Sequence, residues 1–267
     1  MAELVVDELV VTFGHGDSSF NAVDGVSLTV PHGSIVGLVG ESGSGKSTIA
    51  RVIAGLQPAT AGRLLLDGEE LRPAVGRQRL ARARDVQMIF QDPYSSLNPR
   101  MTIGATLDEA LALHGTGSAR DRAAGVKELL SLVRLKPGTV EQYPAQLSGG
   151  MRQRVAIARC LAVKPRLIIA DEITSALDAS VQGAVLNLVR DLQRELELSV
   201  LFITHNLAAV RYIADTTAVM RKGRIVEHGD ADAIVSNPQH AYTQALVGAI
   251  PRIQNAGTDH LLHTIGA

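Results

Sequence analysis

A chain of 267 residues, 46% hydrophobic and 20% charged, is long enough to bury a sizeable core, as one large domain or as a core with a subdomain. Its 26 lysines and arginines balance 27 aspartates and glutamates, so no global charge excess points to nucleic acid or anionic lipid as the main partner. The single cysteine, Cys160, excludes an intrachain disulfide, fits a reducing compartment and reads as a small buried apolar side chain.

Met1 to Val11 carries Glu3, Asp7 and Glu8 where a secretory leader needs a basic stretch followed by a long apolar run, so no export signal is read. Leu4 to Phe13 and Val26 to Val30 are rich in valine and leucine and flank Gly14, Gly16, Asp17 and Ser18, which predicts two strands joined by a loop. Ile35 to Val39 is a short β-branched run of the sort buried on both faces of a sheet. A helix is expected over Ser47 to Leu56, a strand over Arg63 to Leu66 closed by an Asp67-Gly68 turn, and a strand over Val86 to Phe90. From Ile103 to Leu135 alanine, leucine, glutamate and lysine dominate, broken at Gly115, Gly117 and Ser118, as in an inserted helical segment. Alternation then resumes with helix Met151 to Val163, strand Leu167 to Ala170, helix Ser180 to Leu196 and strand Val200 to Ile203, which predicts an α/β fold with a mostly parallel sheet. Apolar runs such as Leu167 to Ala170 fall far short of the roughly 20 residues of a membrane-spanning helix, so work at a membrane would need other chains to do the spanning. Asn255 to Ala267 has no clear pattern, and disorder is the expectation there.

Gly40-Glu41-Ser42-Gly43-Ser44-Gly45-Lys46-Ser47-Thr48 fits G-x-x-x-x-G-K-[ST] and has the flanks that motif requires, a buried strand before and a helix after. Its glycines let successive N–H groups curl round a phosphate chain, and the helix N-terminus near Ser47 adds partial positive charge. Lys46 would reach the β- and γ-phosphates of ATP, and the Ser47 hydroxyl would ligate Mg²⁺. Such a site needs a second group on the metal and a way to orient water. Asp171 and Glu172, at the end of a buried strand, supply candidates for the metal shell and for the general base. Adjacent carboxylates at a strand end are common on any surface; the phosphate loop gives this pair its meaning.

Leu147-Ser148-Gly149-Gly150-Met151-Arg152-Gln153-Arg154 sets a Ser-Gly-Gly turn at the start of a helix, and its open N–H groups with the Ser148 hydroxyl make a second anion-binding terminus. Taken alone, the tetrapeptide serves equally as an ordinary serine cap after loop glycines.

Leu147-Ser148-Gly149-Gly150 followed by Gln153, lying between the phosphate loop and the Asp171-Glu172 pair, resembles the signature motif of the ABC ATPase family. The family's other motifs fall in order: Gln91 as the Q-loop, Ser175-Ala176-Leu177-Asp178 as the D-loop, and His205 as the H-loop. Phe13 occupies the place where the family stacks an aromatic on adenine, with Phe20 as the alternative. The resemblance implies a P-loop NTPase (RecA-like) core with an N-terminal antiparallel β-subdomain and an inserted α-helical subdomain at about 95–163, in an ATPase domain of residues 1–251 followed by a tail of 252–267. It also implies a head-to-tail dimer, in which ATP on one subunit's loop is capped by Ser148, Gly149 and Gly150 of the other and neither half hydrolyses efficiently alone. Gln91 would sense the Mg²⁺ held by Ser47 and Asp171, and His205 would contact the γ-phosphate and organise Glu172. The plainer reading of His205 is a polar residue opening the helix Leu207 to Ala214.

Phe90 to Gly104 and His240-Ala241-Tyr242-Thr243-Gln244-Ala245-Leu246 resemble the oligopeptide, dipeptide and nickel importer subfamily, so the likeness runs from about Leu4 to Pro251. Gly45-Lys46-Ser47-Thr48 and Val210-Arg211-Tyr212-Ile213-Ala214-Asp215 are closer to the second of the paired ATPases such importers carry. Ile173 stands where the family usually has proline and Asn206 where it usually has aspartate; neither removes a catalytic group. The subfamily's cysteine-rich iron-sulfur segment has no counterpart, so no cluster is expected. The implied partners are a second ATPase, two membrane permeases and an external solute-binding protein, at the cytoplasmic face of the plasma membrane, with peptide as first cargo and nickel or another small solute as second. The competing reading, a soluble ABC ATPase acting on nucleic acid or ribosomes, draws on the basic run Arg77 to Arg84. With aromatics at only 3% of the chain there are few stacking platforms for bases, and a solvated basic helix face is the expectation.

Overall fold

The computed structural model describes residues 2–71, 77–92, 96–113 and 117–249. The expected tail therefore lies outside the described residues, as does the Pro93-Tyr94-Ser95 part of the subfamily motif.

Strands β1 (Leu4–Phe13) and β2 (Phe20–Val30) form an antiparallel hairpin, and Leu4, Val6, Leu9 and Val11 on β1 point into the core. β2 begins at Phe20 rather than Val26, because Asn21 and Phe20 pair across to Thr12 and Phe13. β3 (Ile35–Val39) is buried along its whole length, as its β-branched run predicts. Helix α1 (Lys46–Ile53) stops short of the expected Leu56, and Gly55 takes a left-handed backbone, φ +73°, just after it. There follow β4 (Ala61–Leu66), β5 (Glu69–Glu70), α2 (Arg77–Asp85) and β6 (Val86–Ile89). The helical stretch divides into α3 (Ile103–Ala112) and α4 (Ala119–Leu132). Thr102 caps the first through Ala105 N–H; Ser118 and Asp121 cap the second reciprocally, so the Ser118 break is a helix start.

Helix α5 (Gly149–Leu161), strand β7 (Leu167–Asp171), helix α6 (Ala179–Leu196), strand β8 (Ser199–Thr204) and helix α7 (Leu207–Ile213) continue the alternation. The chain then adds β9 (Thr216–Arg221), β10 (Arg224–Asp230), α8 (Ala231–Ser236) and α9 (Ala241–Gly248), elements that the sequence pattern did not announce. β9 and β10 join through Lys222 and Gly223, both with positive φ, the geometry of a tight hairpin turn.

The described strands make two sheets, an antiparallel one in the order β2-β1-β4-β5 and a six-stranded one in the order β10-β9-β3-β8-β7-β6. In the second, β9, β3, β8, β7 and β6 run parallel and only β10, at the edge, is antiparallel. The fold is thus α/β, with an antiparallel β-subdomain and helices inserted between β6 and β7. β3 divides the core by strand alternation. Ile35 and Val39 join Phe202 and the inner faces of α5 and α6, whereas Val36 and Leu38 join Ile49 and Ile53 of α1 and the inner face of the β1–β2 hairpin. Each fully buried side chain such as Leu38 or Ile49 contributes about 1.5–3 kcal/mol, which fixes α1 and the loop before it between two sheets.

The basic run forms a helix, but it is not a solvated face throughout. Arg82 is buried, and its guanidinium donates to the Ile53 carbonyl, at 3.2 Å from Nε and 2.8 Å from Nη2, and to the carbonyls of Val52 and Leu71. Val52 and Ile53 lie in the last turn of α1, the negative end of its dipole, where the Val52 carbonyl also accepts from Gly55 N–H at 3.0 Å, so this end holds a cation even though burial lowers the Arg82 pKa. Arg82→Met, which keeps the stem and takes the guanidinium away from the Ile53 carbonyl, is expected to lower unfolding stability by ~1–3 kcal/mol in urea melts. A change within error would show that water replaces the guanidinium without loss.

Candidate active site

The site forms where three parallel strands end together. Val39 at the end of β3 pairs with Thr204 of β8, and Ile203 pairs with Asp171 of β7. The loop after β3, the Asp171-Glu172 pair and His205 therefore stand side by side at the carboxyl edge of the sheet, where open α/β folds bind ligands.

The loop of residues 40–48 is wedged between β2 and the β9–β10 turn. Gly45 has φ +109°, and a Cβ there would collide with the Ala22 carbonyl oxygen of β2, so only glycine fits. Gly223 N–H donates to the Ser44 carbonyl at 2.9 Å. Inside the curl the Lys46 ammonium is buried and donates to the carbonyls of Gly40 and Glu41, both at 2.8 Å, and to Ser44 Oγ at 3.3 Å. Burial pushes the Lys46 pKa down, opposed by Glu172, Asp171 and Glu41. Ser42 and Gly43 form the outer rim of the curl, and Thr48 N–H closes the first turn of α1 on the Gly45 carbonyl at 3.1 Å.

Ser47 Oγ donates to Asp171 Oδ1 at 3.3 Å, joining the start of α1 to the end of β7. Asp171 is only 7% exposed; burial raises its pKa, the Ser47 hydrogen bond opposes that, Glu172 reinforces it, and Lys46 and Arg51 oppose it in turn. A hydroxyl and a carboxylate side by side are hard oxygen donors, the kind Mg²⁺ takes alongside phosphate oxygens and water, so these residues fit the metal. Glu172 has φ +50°, a left-handed conformation that costs a non-glycine residue about 1–3 kcal/mol. Its N–H donates to the Ile203 carbonyl at 2.8 Å, and its own carbonyl accepts from Ser175 N–H and Oγ, so both sides of the strained peptide are tied down. The carboxylate, mostly buried, meets His205 Nδ1 at 3.3 Å, while the imidazole is half exposed. Asn206 caps α7 by accepting from Ala208 and Ala209 N–H, the task an aspartate would also perform, and Ile173 is buried in the core.

Gln91 follows β6 at the same carboxyl edge and is exposed. Phe13 and Phe20, read as alternatives, are stacked on each other with ring centroids 5.9 Å apart and interplanar angle 29°, and both are exposed. Ser148 caps α5, its Oγ accepting from Met151 N–H at 3.3 Å. Gly150 packs so closely on α6 that a Cβ would strike the Val181 side chain, and one on Gly149 would lie 3.3 Å from Leu177. Asp178 occupies the cap position of α6, its carbonyl accepting from Val181 and Gln182 N–H at 2.9 Å. Among the described residues no hydrogen bond joins Ser148, Gly149 or Gly150 to the loop of residues 40–48 in the same chain. The sequence reading missed one neighbour of that loop: Tyr242 of α9 accepts from Glu41 N–H at 3.1 Å, a contact between residues 201 positions apart that no local pattern announces.

The family model for ABC transporters matches residues 23–175, and that for the C-terminal region of oligopeptide/dipeptide transporters matches residues 226–266. The chain belongs to the ABC transporter family, as one of its ATPase subunits. Relatives of this ABC ATPase include a putative peptide import ATP-binding protein of Brucella ovis, 46% identical over 234 residues, covering 88% of this chain and 74% of that protein. The oligopeptide transport ATP-binding protein OppF of Lactococcus lactis is 49% identical over 232 residues (87% and 73%), and the di/tripeptide transport ATP-binding protein DppF of Pseudomonas aeruginosa is 45% identical over 238 residues (89% and 74%). Among solved structures, an ATP-binding cassette in a dimeric post-hydrolysis state bound to ADP and Pi superposes with TM-score 0.76 at 28% identity, covering 85% of this chain and 98% of that one.

Asp171→Asn provides a test of the site's electrostatics. Because the folded pKa is raised, the protonated carboxyl favours folding below the unfolded pKa, and that advantage disappears as pH rises through the folded pKa. Burial and the neighbouring Glu172 both work against ionisation of this carboxyl, and asparagine removes the ionisable group while still accepting from Ser47. The variant is expected to melt ~2 °C higher without nucleotide and to lose the Mg²⁺-dependent part of its ATP affinity. A melting point several degrees lower would show that the carboxylate is a net stabiliser.

Proposed function

We propose that this chain is the ATP-hydrolysing motor of an importer for peptides or a related small solute, working as a head-to-tail pair with a second ABC ATPase. The observation that carries the reading is the convergence of a buried lysine, a hydroxyl-carboxylate pair and a glutamate-histidine pair at one sheet edge, with no hydrogen bond among the described residues joining them to the helix start at Ser148.

In this reading the N–H groups of residues 40–48 and the Lys46 ammonium bind the phosphate chain, and Phe13 stacks on adenine. Ser47, Asp171 and Gln91 are the metal's protein ligands. Mg²⁺, when bound, would neutralise charge on the phosphate oxygens. Glu172 accepts a proton from water as the oxygen–phosphorus bond forms and the bond from the γ-phosphorus to the β,γ-bridging oxygen breaks, releasing ADP. His205 holds the Glu172 carboxylate in place and reaches the γ-phosphate. Ser148, Gly149 and Gly150 close the site held by the other subunit, and Asp178 lies at that junction. Residues 1–251 form the ATPase domain, with residues 95–163 as the inserted helical subdomain, and 252–267 as a tail.

The proposed partners are two permeases and an external solute-binding protein, with the chain held peripherally at the cytoplasmic face of the membrane and no nucleic acid. Support comes from the names of the relatives, which concern import and transport of peptides, and from the described residues, where no helix is long and apolar enough to cross a membrane.

Glu172→Gln in both ATPase subunits is expected to keep ATP binding and lower turnover by ~100-fold or more, leaving ATP-bound dimers. Near-normal turnover would remove Glu172 from its role. In the assembled transporter, loaded binding protein is expected to stimulate hydrolysis and ribosomes or DNA are not. The opposite pattern would favour the nucleic-acid reading.

A further inference from the structure

The C-terminal helix α9 reaches the phosphate loop through one side chain. Tyr242 is buried, and its hydroxyl accepts from the N–H of Glu41, the second residue of the loop. The Glu41 carbonyl, on the next peptide, is one of the two that hold the Lys46 ammonium at 2.8 Å. Glu41 is thus pinned on both sides, by the phenol at its N–H and by the ammonium at its carbonyl.

The phenol is itself held in place. The Arg221 guanidinium sits 4.8 Å from the ring centroid, and Arg221 ends the strand whose following turn sends Gly223 N–H to the Ser44 carbonyl. His240 Nδ1 accepts from Tyr242 N–H at 3.1 Å, and Glu227 accepts from the N–H groups of Gln239 and His240, fixing the entry to α9. The ring is therefore backed by two elements, and its hydroxyl is presented to one peptide of the loop. Nothing about core packing requires a hydroxyl at that point, since phenylalanine fills nearly the same volume.

We propose that Tyr242 is a positioning residue for nucleotide binding: its hydroxyl holds the Gly40–Glu41 peptide, and so the carbonyls of Gly40 on that peptide and of Glu41 on the next, which aim Lys46. The C-terminal region would then act on the nucleotide site directly, as well as packing beside it. This rests on the reading of residues 40–48 as the ATP phosphate site.

The test uses the full chain with a fluorescent ATP analogue, Mg²⁺ and three proteins: wild type, Tyr242→Phe and Lys46→Ala. Tyr242→Phe keeps the ring and its stacking on Arg221 and deletes only the hydroxyl. Its nucleotide dissociation constant is expected to rise about 3- to 10-fold, the range one hydrogen bond spans, with the melting temperature unchanged and amide exchange faster at Glu41 but not within α9. An unchanged dissociation constant beside a Lys46→Ala variant that no longer binds would overturn the role of Tyr242 and leave the ATP site standing. Full binding by Lys46→Ala would overturn the ATP-site reading and the proposal with it. Weaker binding accompanied by a lower melting temperature and faster exchange throughout α9 would mean that the hydroxyl only supports the fold, and would also overturn the proposal.

Discussion

The rest of the site depends on how one buried ammonium is kept charged. Lys46 lies inside the loop, where desolvation disfavours the cation, and an uncompensated charge there would cost several kcal/mol. Three oxygens of the loop itself receive it, from Gly40, Glu41 and Ser44, and Glu172 and Asp171 favour the charged form across the sheet edge. The curl that brings those oxygens round one nitrogen requires Gly45 at positive φ against β2. The acids face the cation because β7 ends beside β3 with only β8 between them. Sheet topology, glycine placement and the left-handed Glu172 thus serve one electrostatic arrangement.

In the proposed reading the same arrangement is only part of a site. Within the chain, Lys46, Ser47, Asp171, Glu172 and His205 surround the place proposed for the phosphates, while the helix that Ser148 caps packs through Gly150 on Val181 of α6 and through Gly149 near Leu177. A helix start with a capping serine is a ready anion site. In the proposed reading a second subunit brings that helix start to the loop. Closure would then bring two incomplete sites together at once, so that ATP binding can drive a change of shape in attached subunits.

Much of this was legible from sequence, for identifiable reasons. The phosphate loop is a local motif whose spacing dictates its curl, and the strands of the parallel sheet announce themselves as short β-branched runs such as Ile35 to Val39. The Asp171-Glu172 pair was legible only in company with the loop. What escaped was non-local or depended on which way one side chain turned. Arg82 sat in a run that resembled any basic surface helix, yet it turns inside to the Ile53 carbonyl that ends α1. Phe13 and Phe20 competed for one role until the hairpin register set them face to face. Tyr242 was visible as part of a subfamily motif, but its contact with Glu41 exists only because β9, β10 and α8 carry α9 back across the sheet edge.

If each ATP site is shared between two chains, pairing two lesions separates the two sites. Lys46→Ala damages the loop a subunit holds, and Ser148→Arg damages the cap it lends, placing bulk and positive charge at the positive end of α5. ATP-dependent closure can be read site by site by crosslinking in a reconstituted ATPase pair. With one change on each subunit, both lesions fall in one site and the other should close; with both changes on one subunit, each site carries a lesion and neither should. The same pattern in both arrangements would contradict the shared site.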